Sequence, residues 1–226
     1  MKDFDKLQKK IGTDFKDEQL LITAFIHRSY LNEHSDYKEH NERIEFLGDA
    51  ILELVTTDFL YRNYPNPEGD LTNWRSALVK TETISDVSKS LGFEDYLFLS
   101  RGESKSQGRA RQLILANCFE AVIGAIYIDK GYDEAKKFIT KHLLTLLPEI
   151  IEKKLYVDPK SQLQEVAQRK ESITPRYDVL SENGPDHKRV FKIGVFLDDK
   201  KIGEGEGASK QLAQQAAAED ALKSYK

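Results

Sequence analysis

The sequence predicts two domains, an all-α unit followed by a smaller α-β-β-β-α unit, and two observations support this division. The chain has 226 residues, 39% of them hydrophobic, which is enough apolar material to build two packed cores. Apolar residues recur at helical spacing as far as residue 155, whereas later segments alternate apolar and polar residues as strands do. We therefore place the domains at residues 1–155 and 156–226.

The first domain contains segments with the apolar periodicity of amphipathic helices. The predicted helices cover residues 17–27, 41–64, 71–92, 110–129 and 132–154. The stretches YPNPEGD and RGESKSQGR between them contain Pro, Gly and Asp and are typical of loops. The unit is therefore predicted to be all-α.

The second domain begins with the short helix SQLQEVAQRK, continues with the strands RYDVLSE, RVFKIGVFL and DKKIGEGEG, and ends with the helix SKQLAQQAAAEDALKSY. Alanines form one face of the closing helix, and alternate apolar residues form one face of the second strand. We expect these faces to pack together: Ala213, Ala216, Ala217 and Ala218 against Phe191, Ile193 and Val195.

Composition excludes several classes of protein. The single cysteine, Cys118, rules out an intramolecular disulfide and a Cys-based zinc site, and its apolar surroundings predict a small buried side chain. No run of about 18 uncharged apolar residues occurs, and the N-terminus lacks the apolar core of a secretory signal. We expect a cytoplasmic protein that does not bind membranes.

The net charge of −4 argues mildly against a nucleic-acid partner. However, residues 156–226 carry 12 basic and 12 acidic side chains, which leaves 34 − 12 = 22 basic and 38 − 12 = 26 acidic in residues 1–155. The negative excess therefore lies entirely in the first domain and does not argue against a polyanion bound by the second.

The stretch HNERIEFLGDAIL places three acids on one helix face. Glu42, Glu45 and Asp49 fall within an arc of roughly 60° at helical spacing. A second helix carries Asn117 and Glu120 three residues apart, and therefore also on one face. Clustered carboxylates repel one another unless a cation lies among them or some of them are protonated, and oxygen ligands suit Mg²⁺ or Mn²⁺. The alternative is an ordinary solvated acidic face.

Each acid-bearing helix also contains a glycine near its acids, Gly48 in the first and Gly124 in the second. A glycine in a helix interior costs about 1 kcal/mol relative to alanine, but it lets another backbone approach closely. The two glycines therefore predict that these helices touch beside the acids.

HNERIEFLGDAIL resembles the defining motif of the ribonuclease III family, HNERLEFLGDSVL. The resemblance covers the whole chain, because that family joins a helical endonuclease domain to a double-stranded-RNA-binding domain of α-β-β-β-α order. It implies a homodimer that cuts both strands of an RNA duplex with Mg²⁺, for which Mn²⁺ can substitute. The expected products have 5′-phosphate and 3′-hydroxyl ends, and the expected substrates are precursors of ribosomal and messenger RNA.

The resemblance also implies roles for individual residues. Glu45, Asp49 and Glu120 match the family's catalytic and metal-binding acids, and Glu42 matches a supporting acid. Phe46 matches an aromatic residue that inserts into the partner subunit, although a core position within its own chain is equally compatible with the sequence. Asn117 replaces the usual Asp of ILAD; its amide oxygen can still bind a metal but brings no charge.

The second domain resembles the family's RNA-binding domain. Gln164 and Gln168 lie one helical turn apart and can offer amides to the shallow minor groove of A-form RNA, although isolated pairs of this kind are usually ordinary surface residues. In GPDHKRVF, His187 and Lys188 are expected at a loop tip that reaches a neighbouring minor groove. Ser209 is the predicted N-cap of the last helix, where Lys210 and Gln214 complete the expected RNA contacts.

Two alternatives stay open at this point. A non-cleaving double-stranded-RNA-binding protein on a disabled nuclease fold would explain Asn117. A helical phosphohydrolase acting on small substrates would explain the acids but not the second domain. Hydrolysis by a serine or cysteine nucleophile has little support, because the sequence lacks G-x-S-x-G and a plausible Cys-His arrangement.

Overall fold

The computed structural model describes residues 2–185 and 189–225 and forms two compact units, Met1–Tyr156 and Val157–Lys226. The first unit is helical, with the following order of α-helices: α1 Phe4–Ile11, α2 Glu18–Ala24, α3 Arg28–Leu31, α4 Glu42–Asn63, α5 Glu68–Val79, α6 Thr81–Ser90, α7 Gly108–Lys130, α8 Tyr132–His142 and α9 Leu147–Glu152. Short 3₁₀ turns occupy Phe93–Tyr96, Glu103–Lys105 and Leu144–Leu146. The prediction of an all-α first unit is confirmed.

Helix α7 is the centre of the first unit. Of its 23 residues, 11 are buried, and it packs against α4 and α6. By length and composition α7 could cross a membrane, but 61% of its most apolar window is buried inside the fold, as expected for the core helix of a folded domain. Cys118 lies fully buried in α7, and burial raises the pKa of its thiol well above the usual value. It is the small core residue that the sequence predicts.

Two of the predicted long helices are each divided in two. The helix predicted over residues 71–92 is interrupted at Lys80, whose backbone is extended (φ −66°, ψ 148°), and resumes as α6. The helix predicted over residues 132–154 ends at His142 and resumes at Leu147, where Pro148 lies in the first turn of α9. Proline fits the start of a helix but not its interior, since it lacks the N–H and crowds the preceding turn.

The start of the chain also differs from the prediction. The helix predicted over residues 17–27 ends at Ala24, because Phe25 and Ile26 instead pair with Phe98 through main-chain contacts. Helix α1 was not predicted; the carboxylate of Asp3 caps it by accepting the Lys6 N–H at 3.0 Å. The short helix α3 was also missed.

The second unit has the predicted order α10 Pro159–Glu171, β1 Arg176–Asn183, β2 Val190–Leu197, β3 Lys200–Gly207 and α11 Lys210–Ser224. The strands form one antiparallel sheet in the order β1-β2-β3. The alanine face of α11 packs on this sheet as predicted, except that Ala216 is only partly buried and Ala221, which was not predicted, belongs to the core. The core consists of Leu163, Ile193, Val195, Ala213, Ala217, Ala218 and Ala221.

Glycines in β3 bring α11 close to the sheet. A Cβ at Gly205 would lie 2.2 Å from the main-chain nitrogen of Ala217, a distance that no real Cβ contact adopts. The GEGEG run of β3 is therefore a packing surface on which the helix backbone rests.

Candidate active site

The first residues of α4 fix where its acids lie. Asn41 is buried; its main-chain N–H donates to the Ile26 carbonyl at 2.9 Å and its side-chain amide donates to the Ala24 carbonyl at 3.4 Å. Both bonds tie the beginning of α4 to the segment that follows α2. Glu42 and Glu45 lie in the first turn of α4, where negative charge interacts favourably with the helix dipole.

The predicted contact between the two acid-bearing helices is confirmed. A Cβ at Gly48 of α4 would lie 1.7 Å from the carbonyl oxygen of Glu120, and a Cβ at Gly124 of α7 would lie 2.2 Å from the carbonyl oxygen of Ile44. The two glycines thus form a reciprocal contact, each against the backbone of the opposite helix. This contact brings Glu45 and Asp49 of α4 beside Glu120 of α7.

Glu45 lies partly buried among like charges. Burial and the charges of Glu42 and Asp49 raise the pKa of its carboxyl, and a hydrogen bond from the side chain of Asn117 lowers it by a smaller amount. Asn117 therefore faces the acid cluster, as its match to the family's ligand position implies. Its amide partly offsets the repulsion that the carboxylates exert on one another.

Glu120 is the most perturbed carboxyl of the cluster. Burial, together with the charges of Asp49, Glu45 and Glu53, raises its pKa to about 8. A carboxyl in this state accepts either a proton or a cation. The electrostatic contribution of Glu53 was not predicted, although its position one turn beyond Asp49 extends the acidic face and could have revealed it.

The donor set fits a divalent metal ion. The side chains of Glu45, Asp49, Glu120 and Asn117 offer oxygen atoms, and their mutual repulsion is the kind that a divalent cation relieves. Among residues 2–185 and 189–225, no three Asp, Glu, His or Cys side chains already converge on a single point. The carboxyls of α4 nevertheless lie close enough to Glu120 to raise its pKa, because the Gly48–Gly124 contact holds the two backbones together.

Phe46 lies beside these acids but points outward. Its side chain is 80% exposed, which is unusual for a large aromatic residue in a folded domain. The alternative of a core position within its own chain is therefore wrong for the isolated protomer. An exposed aromatic ring of this size is typical of a protein–protein contact.

In the second unit, the two predicted glutamines share one exposed face of α10. Gln164 and Gln168 line a shallow depression of about 500 Å³ together with Ser161, Glu165 and Arg169. Both amides are exposed. The structure thus brings them together on one surface with a basic side chain beside them.

The predicted residues at the start of α11 already have partners. Ser209 is the N-cap, as predicted, and its hydroxyl accepts the Leu212 N–H at 3.2 Å. Lys210 pairs with Glu182 of β1 at 3.5 Å, and the Gln214 side chain accepts a hydrogen bond from Lys160 at 2.7 Å. The predictions for His187 and Lys188 lie outside the described residues.

The class of protein follows from the two halves of the chain taken separately. Residues 17–147 match the family described as "Ribonuclease-III-like", and residues 159–225 match the family described as "Double-stranded RNA binding motif". A helical unit with acids on two touching helices, followed by this RNA-binding unit, defines a nuclease that acts on double-stranded RNA.

Whole-length relatives identify the family. The chain is 46% identical over 217 residues to "Ribonuclease 3" of Protochlamydia amoebophila, a match that covers 96% of this chain and 89% of the relative. It is 46% identical over 224 residues to "Ribonuclease 3" of Lactococcus lactis subsp. lactis, with 96% of both chains covered. The chain belongs to the ribonuclease III family.

A solved structure supports the assignment of the first unit. The nuclease domain of ribonuclease III from Campylobacter jejuni superposes with a TM-score of 0.57 at 35% identity, covering 66% of this chain and 96% of that one. The protein is accordingly an endoribonuclease of double-stranded RNA, and its family is metal-dependent in general. The alternative of a non-cleaving binder is not favoured.

Proposed function

We propose that the chain is a Mg²⁺-dependent endoribonuclease that works as a homodimer in the cytoplasm and leaves 5′-phosphate and 3′-hydroxyl ends. The proposed substrates are duplex regions in precursors of ribosomal and messenger RNA, and Mn²⁺ is expected to replace Mg²⁺. The observation that carries the proposal is the group of acids at the Gly48–Gly124 contact, where burial and the neighbouring carboxylates raise the pKa of Glu120 to about 8.

We assign the metal ligands to Glu45, Asn117 and Glu120, with Asp49 completing the site. The bound ion would polarise a phosphate oxygen and lower the pKa of an attacking water. Asp49, the most exposed of the three acids, orients that water in line with the leaving 3′ oxygen. Glu42 supports the site from the first turn of α4.

We assign duplex binding to the second unit. Gln164 and Gln168 are expected to contact the minor groove, where 2′-hydroxyls and base edges are accessible. Ser209, Lys210 and Gln214 are expected to contact phosphates near the start of α11, while His187 and Lys188 are expected to contact a second groove. Recognition would then depend mainly on duplex shape, with charge setting the affinity.

The test is to separate cleavage from binding. Glu120→Gln keeps the size of the side chain but removes the charge that binds the metal. We expect it to abolish cleavage of a labelled perfect RNA duplex while duplex affinity, measured by gel shift in chelator, stays within about twofold of wild type. Glu82→Gln, an exposed change in the first turn of α6, is the matched control and should cut normally. Equal loss of cleavage and binding in Glu120→Gln would refute the assigned role.

A further inference from the structure

The acidic face of α4 is longer than the site assigned above. Glu42, Glu45, Asp49 and Glu53 fall within an arc of about 80° and extend along roughly 16 Å of helix at 100° and 1.5 Å per residue. The carboxylates at the two ends of this row differ from those in the middle in having basic partners. Among the described residues, basic partners contact only the two end carboxylates.

The partner of Glu53 is well placed to stay bound to it. Arg75 of α5 lies 3.2 Å from the Glu53 carboxylate, and its guanidinium also donates to the Thr57 hydroxyl at 3.1 Å. The Arg75 side chain is 36% exposed, whereas Arg28, which pairs with Glu42 at 3.5 Å, is 70% exposed. The Glu53 end of the row therefore carries the less exposed of the two arginine ion pairs, and its guanidinium has a second hydrogen-bond partner.

Neutralising Glu53 matters because Glu53 is within electrostatic reach of the proposed metal ligands. Its charge acts on Glu120 together with those of Asp49 and Glu45. Without a partner, Glu53 would add a further negative charge at this point and offer a competing oxygen ligand one turn away from Asp49. A metal ion could then bind nearer to Glu53 than to the position that Asn117 and Glu120 define.

We propose that Arg75 is a positioning residue of the metal site: by pairing with Glu53, it limits the uncompensated charge to Glu45, Asp49 and Glu120 and keeps Glu53 out of the ligand set. This inference rests on the proposed metal site. It assigns to α5 a part in the active site although α5 contributes no ligand.

The test measures Mn²⁺ binding to the full-length protein without RNA, by following free Mn²⁺ with electron paramagnetic resonance. Arg75→Gln leaves Glu53 uncompensated, so the dissociation constant for Mn²⁺ should fall by about fivefold, the effect of one unit charge in a partly hydrated site. Glu53→Gln leaves Arg75 uncompensated and should raise the constant by a similar factor. The double variant should return to within about twofold of wild type.

The matched control is Arg62→Gln. It removes the same charge from an ion pair on the same helix, but its partner Asp58 lies about 140° around the helix axis from Glu53, so Mn²⁺ affinity should not change. Unfolding curves should confirm that every variant is folded at the temperature used. Unchanged affinity in Arg75→Gln, or a double variant that binds no better than Glu53→Gln, would overturn the inference. If wild type itself bound no Mn²⁺, the proposed metal site would be wrong and the inference would fall with it.

Discussion

Gly48 lies against the main chain of Glu120, so that a methyl group at position 48 would be 1.7 Å from the Glu120 carbonyl oxygen. Gly48→Ala must therefore push α4 and α7 apart. We expect it to reduce the free energy of unfolding by about 3 kcal/mol or more, as overpacking against fixed backbone does. Urea unfolding followed by the fluorescence of Trp74, the only tryptophan, reports on this unit alone.

Gly69→Ala is the control for this measurement. Gly69 lies in the first turn of α5, and a Cβ there would meet nothing within 4 Å. Alanine has the better helix propensity, so this variant should be as stable as wild type or more stable by about 0.5 kcal/mol. Equal stability of the two variants would contradict a tight contact at Gly48.

The raised pKa of Glu120 predicts how stability depends on pH in the presence of a chelator. The folded protein keeps a proton on Glu120 up to about pH 8, whereas the unfolded chain releases it near the ordinary value of 4.5. The folded state therefore binds more protons in this interval, and its stability should fall as pH rises from about 4.5 to about 8.

The size of this effect is expected to be about 1–3 kcal/mol, after allowance for partial hydration of the carboxyl. Glu120→Gln cannot ionise and should lack this part of the pH dependence, so that its stability relative to wild type increases between pH 5 and pH 8. Mg²⁺ added at pH 8 should stabilise wild type more than the variant. Parallel pH profiles for the two proteins would exclude a titrating Glu120.

Asn117 should determine how much metal the enzyme needs. Asn117→Asp adds a charged ligand, so half-maximal cleavage should require about threefold to tenfold less Mg²⁺. In chelator the same change should destabilise the fold, because an ionised Asp cannot donate the hydrogen bond that Asn117 gives to Glu45. If wild type cut at no metal concentration while Asn117→Asp did, the chain would be a binder on a disabled nuclease.

The ion pair between Lys210 and Glu182 should weaken duplex binding. Lys210 cannot contact a phosphate fully while it lies 3.5 Å from the Glu182 carboxylate. Glu182→Gln should therefore increase duplex affinity by about twofold to threefold at low salt, with a smaller gain at high salt. Glu219→Gln removes the same charge from an exposed site on α11 and should change affinity less. Equal gains in both variants would indicate a general charge effect.

Phe46 should contribute to the proposed dimer. Because its ring is 80% exposed in the protomer, Phe46→Ser removes apolar area only from an interface, and should weaken dimerisation by about tenfold or more. Sedimentation velocity across a dilution series measures this change. Leu155→Ser, at a side chain that is 51% exposed, controls for loss of any apolar surface residue. A dimer of unchanged affinity in Phe46→Ser would assign the ring another role.

Much of the fold could be predicted because it depends on periodicity within short segments. The spacing of Glu42, Glu45 and Asp49 is enough to place them on a common face, and the glycines at 48 and 124 are enough to indicate the helix contact. The break at Lys80 could not be predicted, since neither Pro nor Gly marks it. Tertiary packing decides the backbone conformation there.

The partners in the ion pairs also could not be predicted from sequence patterns. Nothing in the spacing of α4 and α5 indicates that Arg75 pairs with Glu53, or that Lys210 pairs with Glu182. Such pairs join segments that are distant in sequence. Each carboxylate could pair with any of several nearby basic side chains, and the side-chain rotamers decide which pair forms. Local patterns identify which residues carry charge, whereas only the folded chain determines which charges meet.

The reciprocal contact of Gly48 and Gly124 also determines at which stage of synthesis the proposed site can form. Glu45 and Asp49 leave the ribosome many residues before Glu120, and under the proposed assignment neither group forms the metal site alone. Because the halves meet only when α7 has emerged and docked on α4, a nascent chain that has not yet released α7 has no assembled cutting centre.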